Sequence, residues 1–477
     1  MKEEMVFDLV IKGGYVVDPE NNVQGKRDLG IRDGNIAAVL EEIPCRDGRS
    51  VLSVNGKIVI PGIIDMHVHT GFTGKGGNAA MRMLARAGTV TALDCGGPLD
   101  DFYNFAGTDG AGLNMACLQM IKPGWNVGGV DVGSNEASAL VEESLDDGAL
   151  GVKILGGHYP MTPESTRTFI EESNRKRSLV AFHVGTSCNP VGNFQAFNEA
   201  IELAKGNSVD LVHINAYCRG QVLGDPVEET LLALASLEAN LNIFSESYLS
   251  IFSATPAKCS NGELESNGPK NSLSMGGYEK NERGLRKAIL DGFASVVFPR
   301  GDENICLTGP EGIRYFDDVG TDVACTFPVT PASTRFLLAT GKRRNGHFIV
   351  DAMATDGGAI PRNFLVEKGT ALVRLDMLSW KEFVLKTSTN PAKILGLKDK
   401  GHLGIGANAD ITVLEGDVGQ AYAAVNGGKV IMLDGMVLGT GTTVITTRQG
   451  EKAVHRQGFE SYVVDLEKGW FFAGRPV

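Results

Sequence analysis

Eight strand-like runs through the middle of the chain constrain its fold more than any other feature. They are IVIPGIIDMHVH, TVTALDCGG, MACLQMI, LGVKILGG, SLVAFHVG, VDLVHINAY, LNIFSESYL and FIVDAMATDGG. Nearly all are continuously apolar rather than alternating, the pattern of strands buried on both faces. Amphipathic stretches such as NAAMRMLARAG, TPESTRTFIEESNRK and GNFQAFNEAIELAK lie between them. Eight buried strands alternating with helices predict an α/β fold, a closed (β/α)8 TIM barrel. A doubly wound open sheet is the rival, and it lacks support because no GxGxxG opens a helix after a strand.

The two ends read differently. FDLVIKGGYVVDPENNVQGKRDLGIRDGNIAAVLEE breaks into short β-rich runs at KGG, PENN and RDGN, and the texture returns in ADITVLEG, KVIMLDGMVLG and TTVITT. Residues 1–58 and 400–477 are therefore expected to form a small β-sandwich domain from both termini, with the barrel domain at 59–399. A segment at about 251–346 interrupts the rhythm between the seventh and eighth runs. It contains SNGELESNGPKNSLSMGGYEKNERG, too long and too rich in Ser, Asn and Gly for an ordinary connection. We expect it to hold the seventh helix, extra elements and a flexible loop, part of it a lid over the site.

The bulk numbers exclude several classes. A formal net charge of -12 without a Lys/Arg cluster argues against nucleic-acid partners and anionic membranes. The N-terminus, MKEEMVFDLVIKGG, lacks a signal-peptide pattern and no span reaches transmembrane length, so a cytoplasmic protein is expected. The eight cysteines are scattered singly with no CxxC, which suggests neither a disulfide framework nor a zinc ribbon.

Chemistry concentrates on one end of the predicted barrel. His67 and His69 stand one residue apart in GIIDMHVHTG, so an extended backbone points both imidazoles the same way. His183, His213, Lys153 and Asp356 fall at equivalent strand ends, the face where such barrels build their sites. Singly, each has a structural reading as a hydrogen-bonded histidine or a helix cap; six on one rim point to a metal seat. Imidazole and carboxylate suit zinc or another borderline divalent ion. His67, His69 and Asp356 would hold one ion, and His183 with His213 a second. A neutral lysine amine can capture carbon dioxide and bridge two ions as a carbamate, which gives Lys153 a place between them.

These residues carry a resemblance. VIPGIIDMHVHTG, followed by Lys153, His183, His213 and Asp356, is similar to the amidohydrolase superfamily and more closely to its cyclic amidohydrolases: dihydroorotases, hydantoinases and dihydropyrimidinases. LNIFSESYL, TSTNPAKILGL and KGHLGIGANADITVLE resemble further family segments in the right order. The resemblance implies His67, His69, Lys153, His183, His213 and Asp356 as ligands of two divalent ions, most simply zinc, with Lys153 carboxylated on its amine. It implies Asp356 as the general base, and hydrolysis of a C–N bond in a cyclic amide or imide by a metal-bridging hydroxide. Tyr159, in GGHYPMTPE, is the nearest match to the family's oxyanion-stabilising tyrosine, with His158 beside it. Homo-oligomers, dimers or tetramers, are common among such relatives.

Five residues complete the expectations. Cys95, in TALDCGG, ends the second run near the same rim; N-acyl-D-amino-acid deacylases use a cysteine from this region as the bridge. With Lys153 present, Cys95 is read as a nearby core thiol. Arg219 could hold a substrate carboxylate. His347, His402 and His455 are read as surface or structural. The alternatives are an open-chain amidase, such as an N-acyl-D-amino-acid deacylase or a dipeptidase; a deaminase, which the strand-four lysine disfavours; and a non-catalytic barrel, which the full ligand set disfavours.

Overall fold

A computed structural model describes residues 6–71 and 79–476. The eight runs become the staves of a closed barrel. Ile63–His69, Thr89–Asp94, Ala111–Ile121, Gly151–Leu155, Leu179–His183, Val209–Leu211 and Ile243–Ser247 pair in parallel, each with the next in the chain. Every residue of Ile63–His69 is buried, as helices outside and side chains inside require. The fourth strand opens on Gly151 (φ +153°), where a Cβ would stand 1.9 Å from the carbonyl oxygen of Leu179. Only glycine lets the fourth strand lie this close to the fifth, and it fixes Lys153 two residues on.

The eighth stave is split. Ala352–Met353 pairs with the seventh strand and Gly357–Gly358 with the first, closing the barrel. Asp356 stands in the gap with φ +50°, its N–H donating to the carbonyl of His67 at 2.9 Å. Thr355 is fixed beside it by hydrogen bonds from its N–H and hydroxyl to the Asp65 carboxylate, at 3.1 and 2.5 Å. The interruption frees Asp356 from the ladder so that its side chain can face the rim.

Both ends of the chain meet in one sheet, nine-stranded among the described residues. Ile58–Pro61 pairs in parallel with Phe7–Asp18 and antiparallel with Ile411–Glu415, which joins the two terminal segments. Its apolar side gathers Ile11, Val16, Leu29, Ile31, Val59, Ile411, Val413 and Val425. TTVITT departs from the expectation that placed it beside this sheet. Its strand, Gly441–Thr447, pairs in parallel with the outer half of the third barrel strand, and Glu460–Val464 pairs with it in turn. The third strand is eleven residues long, so Ala111–Met115 runs beyond the fourth strand's reach and leaves an edge for the C-terminal segment to cover.

The segment at 251–346 is also corrected. The stretch expected as a flexible loop is folded: Cys259–Ser260 and Glu263–Leu264 make a hairpin, followed by helices Asn267–Met275 and Glu282–Leu290. They pack on a sheet of Ser253–Pro256, Ala324–Phe327, Ser295–Arg300 and Glu303–Leu307. Leu273, Leu285, Ile289, Val296, Phe316 and Phe327 form its own buried centre. Composition misled here because Asn281 and Ser266 serve as helix N-caps rather than loop residues. Among the described residues, no helix is long and apolar enough to cross a membrane.

Candidate metal centre

The barrel's geometry brings six predicted residues around one cavity of about 280 Å³: His67, His69, Lys153, His183, His213 and Asp356 line it together. His69 Nε2 lies 2.9 Å and His67 Nε2 3.6 Å from Oδ1 of Asp356. Ligand atoms of these three residues all fall within 4.8 Å of one another. The His213 ring stacks 5.1 Å from His67 and meets His183 edge-on at 4.5 Å. Lys153 pairs with Ala181, two residues below His183, so its long side chain rises from beneath the histidines.

Two buried atoms test whether this set suits a metal. His67 Nε2 and Lys153 Nζ have no hydrogen-bond partner. Leaving a buried amine or imidazole nitrogen unsatisfied costs roughly 1–3 kcal/mol each. Divalent ions and a carboxylated amine would satisfy both, and the nitrogen–carboxylate donor set is the one zinc prefers. The residues present fit the group.

The electrostatics fit too. Burial, and then the positive charge of Lys153, holds His67 well below its ordinary pKa; burial and His213 do the same for His183, and burial does so for His213. Neutral imidazoles are what metal ligation needs. Burial alone would raise Asp356, but Arg362, His67 and His69 outweigh it and hold the carboxyl well below the usual range. The Arg362 side chain is buried, with Nη2 2.5 Å from Asp356 Oδ2, Nε donating to the Asp356 carbonyl at 2.5 Å and Nη1 to the Phe252 carbonyl at 2.8 Å.

A second missed residue lies on the seventh strand. Glu246, 1% exposed, sets Oε1 2.5 Å from His67 Nδ1 and accepts the backbone N–H of His213 with Oε2. Burial and Asp210 push its carboxyl up, while Lys153 and the backbone N–H of His213 pull it back toward the carboxylate that the two contacts need. The period-two inward position was the signal that could have found it, since Glu246 is the acidic residue of LNIFSESYL.

The substrate-side residues fare unevenly. Tyr159 and His158 line the cavity, with Lys122 Nζ 4.7 Å from the Tyr159 ring centroid. His158 Nδ1 meets Ser266 Oγ of the inserted unit at 2.9 Å. Arg219 is not on the cavity wall; its Nη2 reaches the hydroxyl of Tyr248 at 3.4 Å, and Tyr248 is the residue that lines the cavity. Cys95 packs in the core, its thiol donating to the Met66 carbonyl at 3.4 Å, and burial pushes its pKa well up. A thiol so held stays protonated.

Two expected outcomes follow from this packing. A Cβ on Gly157 would meet His183 Nε2 at 2.2 Å. Gly157→Ala should therefore displace His183 and weaken metal uptake roughly 10–100-fold while the circular dichroism stays that of wild type; unchanged zinc affinity would contradict it. The second concerns acid. Burial, with His69 adding to it, pushes His158 from 6.5 down to about 4. The unfolded chain takes up its proton near pH 6.5 and the folded chain near 4, so stability falls as pH drops through that window. The loss is about 2 kcal/mol or more from His158, and His67, His183 and His213 extend it. Thermal unfolding of the metal-free protein between pH 7.5 and 4.5 measures this; a flat profile would refute it.

A closed barrel gathering histidines, a lysine and an aspartate at the C-terminal ends of its strands is a hydrolase framework. Residues 303–440 match the amidohydrolase family. The dihydroorotase of Geotalea daltonii is 24% identical over 441 residues, spanning 86% of this chain and 90% of that protein. Among solved structures, a Bordetella bronchiseptica N-acyl-D-glutamate deacylase, complexed with zinc and a phosphonate inhibitor, superimposes with a TM-score of 0.67 at 16% identity. It covers 92% of this chain and 99% of its own. A D-hydantoinase gives 0.57 at 18% identity over 92% of this chain and 98% of its own. The chain thus resembles the amidohydrolase family, and within it the cyclic amidohydrolase type, and is a hydrolase of C–N bonds other than ordinary peptide bonds.

Proposed function

We propose that the protein hydrolyses the C–N bond of a cyclic amide or imide, such as a hydantoin, dihydropyrimidine or lactam, using two divalent ions. The observation that carries the reading is the pair of buried, unpartnered atoms, His67 Nε2 and Lys153 Nζ, facing one cavity with Asp356. His67, His69 and Asp356 would hold one ion, His183 and His213 the other, and carboxylated Lys153 would join them. Bound there, the ions would lower the pKa of water and polarise the amide carbonyl.

The chain's own residues would do the rest. Asp356, its Oδ2 held by Arg362, would take the proton from the attacking water and return it to the leaving nitrogen. A carboxyl held so far down is a weak base, suited only to water already made acidic. Ser266 Oγ accepts the N–H of Gly268 at 3.2 Å, so its own proton can go to His158 Nδ1. That tautomer leaves His158 Nε2–H as a donor, beside the Tyr159 hydroxyl, for the developing oxyanion. Supporting the proposed cytoplasmic setting, all eight cysteines are free.

The test is a turnover screen of the zinc-loaded protein on hydantoins, dihydropyrimidines, lactams and N-acyl-D-amino acids, following amide loss and ammonia separately. Ring opening without ammonia is expected. Turnover of the open-chain substrates alone would replace the cyclic reading with a deacylase, and ammonia without ring opening with a deaminase.

A further inference from the structure

We propose that Glu246 is a positioning residue that decides which nitrogen of His67 faces the metal centre and ties the centre's two halves together. The inference rests on the metal reading above. Glu246 sits on the seventh strand, Ile243–Ser247, and its two carboxylate oxygens go to different staves. Oε1 meets His67 Nδ1 of the first strand at 2.5 Å, and Oε2 takes the backbone N–H of His213, just past the sixth.

Each contact has a consequence for a ligand. A carboxylate facing Nδ1 keeps the imidazole proton there, and Nε2, buried without a hydrogen-bond partner, turns its lone pair toward Asp356 Oδ1 at 3.6 Å. His213 has φ +37°, a left-handed conformation that costs a non-glycine residue about 1 kcal/mol or more and persists only where the surroundings hold it. The bond from its N–H to Glu246 holds it, and in that conformation its ring lies 4.5 Å from His183. One side chain thus sets the tautomer in the first half of the centre and the backbone in the second.

The geometry makes a nearly isosteric change discriminating. In Glu246→Gln the single carbonyl oxygen can keep the N–H of His213, which turns the amide NH2 toward His67 Nδ1. His67 must then accept at Nδ1 and carry its proton on Nε2, where it can no longer ligate. Glu246→Asp keeps two acceptors and should restore the wild-type tautomer.

The experiment uses the full-length chain labelled with 15N-histidine, the His67 signals assigned by their loss in His67→Gln. Long-range nitrogen–proton correlation reads the tautomer, and titration with cobalt(II) reads affinity. In wild type, His67 should carry its proton on Nδ1 with and without metal. In Glu246→Gln it should move to Nε2, cobalt affinity should fall roughly 10–100-fold, and circular dichroism should stay unchanged. A wild-type tautomer together with wild-type cobalt affinity in Glu246→Gln would overturn the proposal. If that variant does not fold, a wild-type His67 protonated on Nε2 overturns it and one protonated on Nδ1 supports it. A wild-type protein that takes up no cobalt would sink the metal reading instead, and its His67 tautomer would still decide the Glu246 contact.

Discussion

Lys153→Ala is expected to leave a folded protein that has lost its paired ions and nearly all of its turnover. Lys153 is 1% exposed, and its amine has no hydrogen-bond partner, so its removal breaks no hydrogen bond in the metal-free protein. Removing it trades an unsatisfied buried amine for a small cavity, and metal-free stability should stay within about 2 kcal/mol of wild type. The functional loss should be far larger. Electrophilic metal assistance is worth several kcal/mol of barrier, so kcat should fall on the order of 10³-fold. Metal analysis should show fewer than two ions per chain, and depleting carbon dioxide during metal loading of wild type should reproduce the loss. Full activity with two tight ions in Lys153→Ala would refute the carbamate bridge.

Arg362→Met should cost stability rather than metal stoichiometry first. The guanidinium serves three acceptors at once: the Asp356 carboxylate, the Asp356 carbonyl and the Phe252 carbonyl. Methionine fills similar space and satisfies none, leaving a buried carboxylate without its counter-charge, a loss of roughly 3–5 kcal/mol. Arg362→Lys should fall between, because a point charge cannot replace a planar fork at three acceptors. The sign with pH follows from Asp356, whose carboxyl is depressed in the folded state. Its contribution is fully present above the ordinary value of 3.8 and is lost as pH falls through the lower folded value. Denaturant unfolding of metal-free wild type and variant should therefore differ by a constant amount from pH 8 to about 5 and converge only in stronger acid. Equal stability at pH 7 would show that Arg362 is not holding Asp356.

The barrel was legible because strands buried on both faces need nearly unbroken apolar runs, and seven of the eight appear as such. The eighth, FIVDAMATDGG, reads as one run although the structure splits it around Asp356. A one-dimensional pattern shows where a strand is apolar but not where its ladder must open to release a carboxylate. The rim residues could be found because all but Lys153, the middle residue of Gly151–Leu155, stand at or near a strand's end. Arg362 could not, and Glu246 only through its inward period-two position, since their roles depend on reach across staves. Glu246 looks like a polar interruption in LNIFSESYL, and Arg362 in GAIPRNF like a loop arginine facing water. TTVITT shows the same limit: its β-propensity suits either sheet, and the free edge of the third strand decided between them.

The inserted unit between the seventh strand and the eighth stave carries Ser253, Ala254, Pro256 and Asp322 to the cavity wall, yet its apolar centre is its own. Changes inside that centre, or at the four wall positions, leave the barrel's ladder untouched. Over evolutionary time such an arrangement separates two kinds of inheritance. The rim can be conserved for bond breaking while the cap diverges to admit different molecules. For an engineer, it marks where to randomise: the cap's wall-facing positions, with the barrel's strand ends held constant.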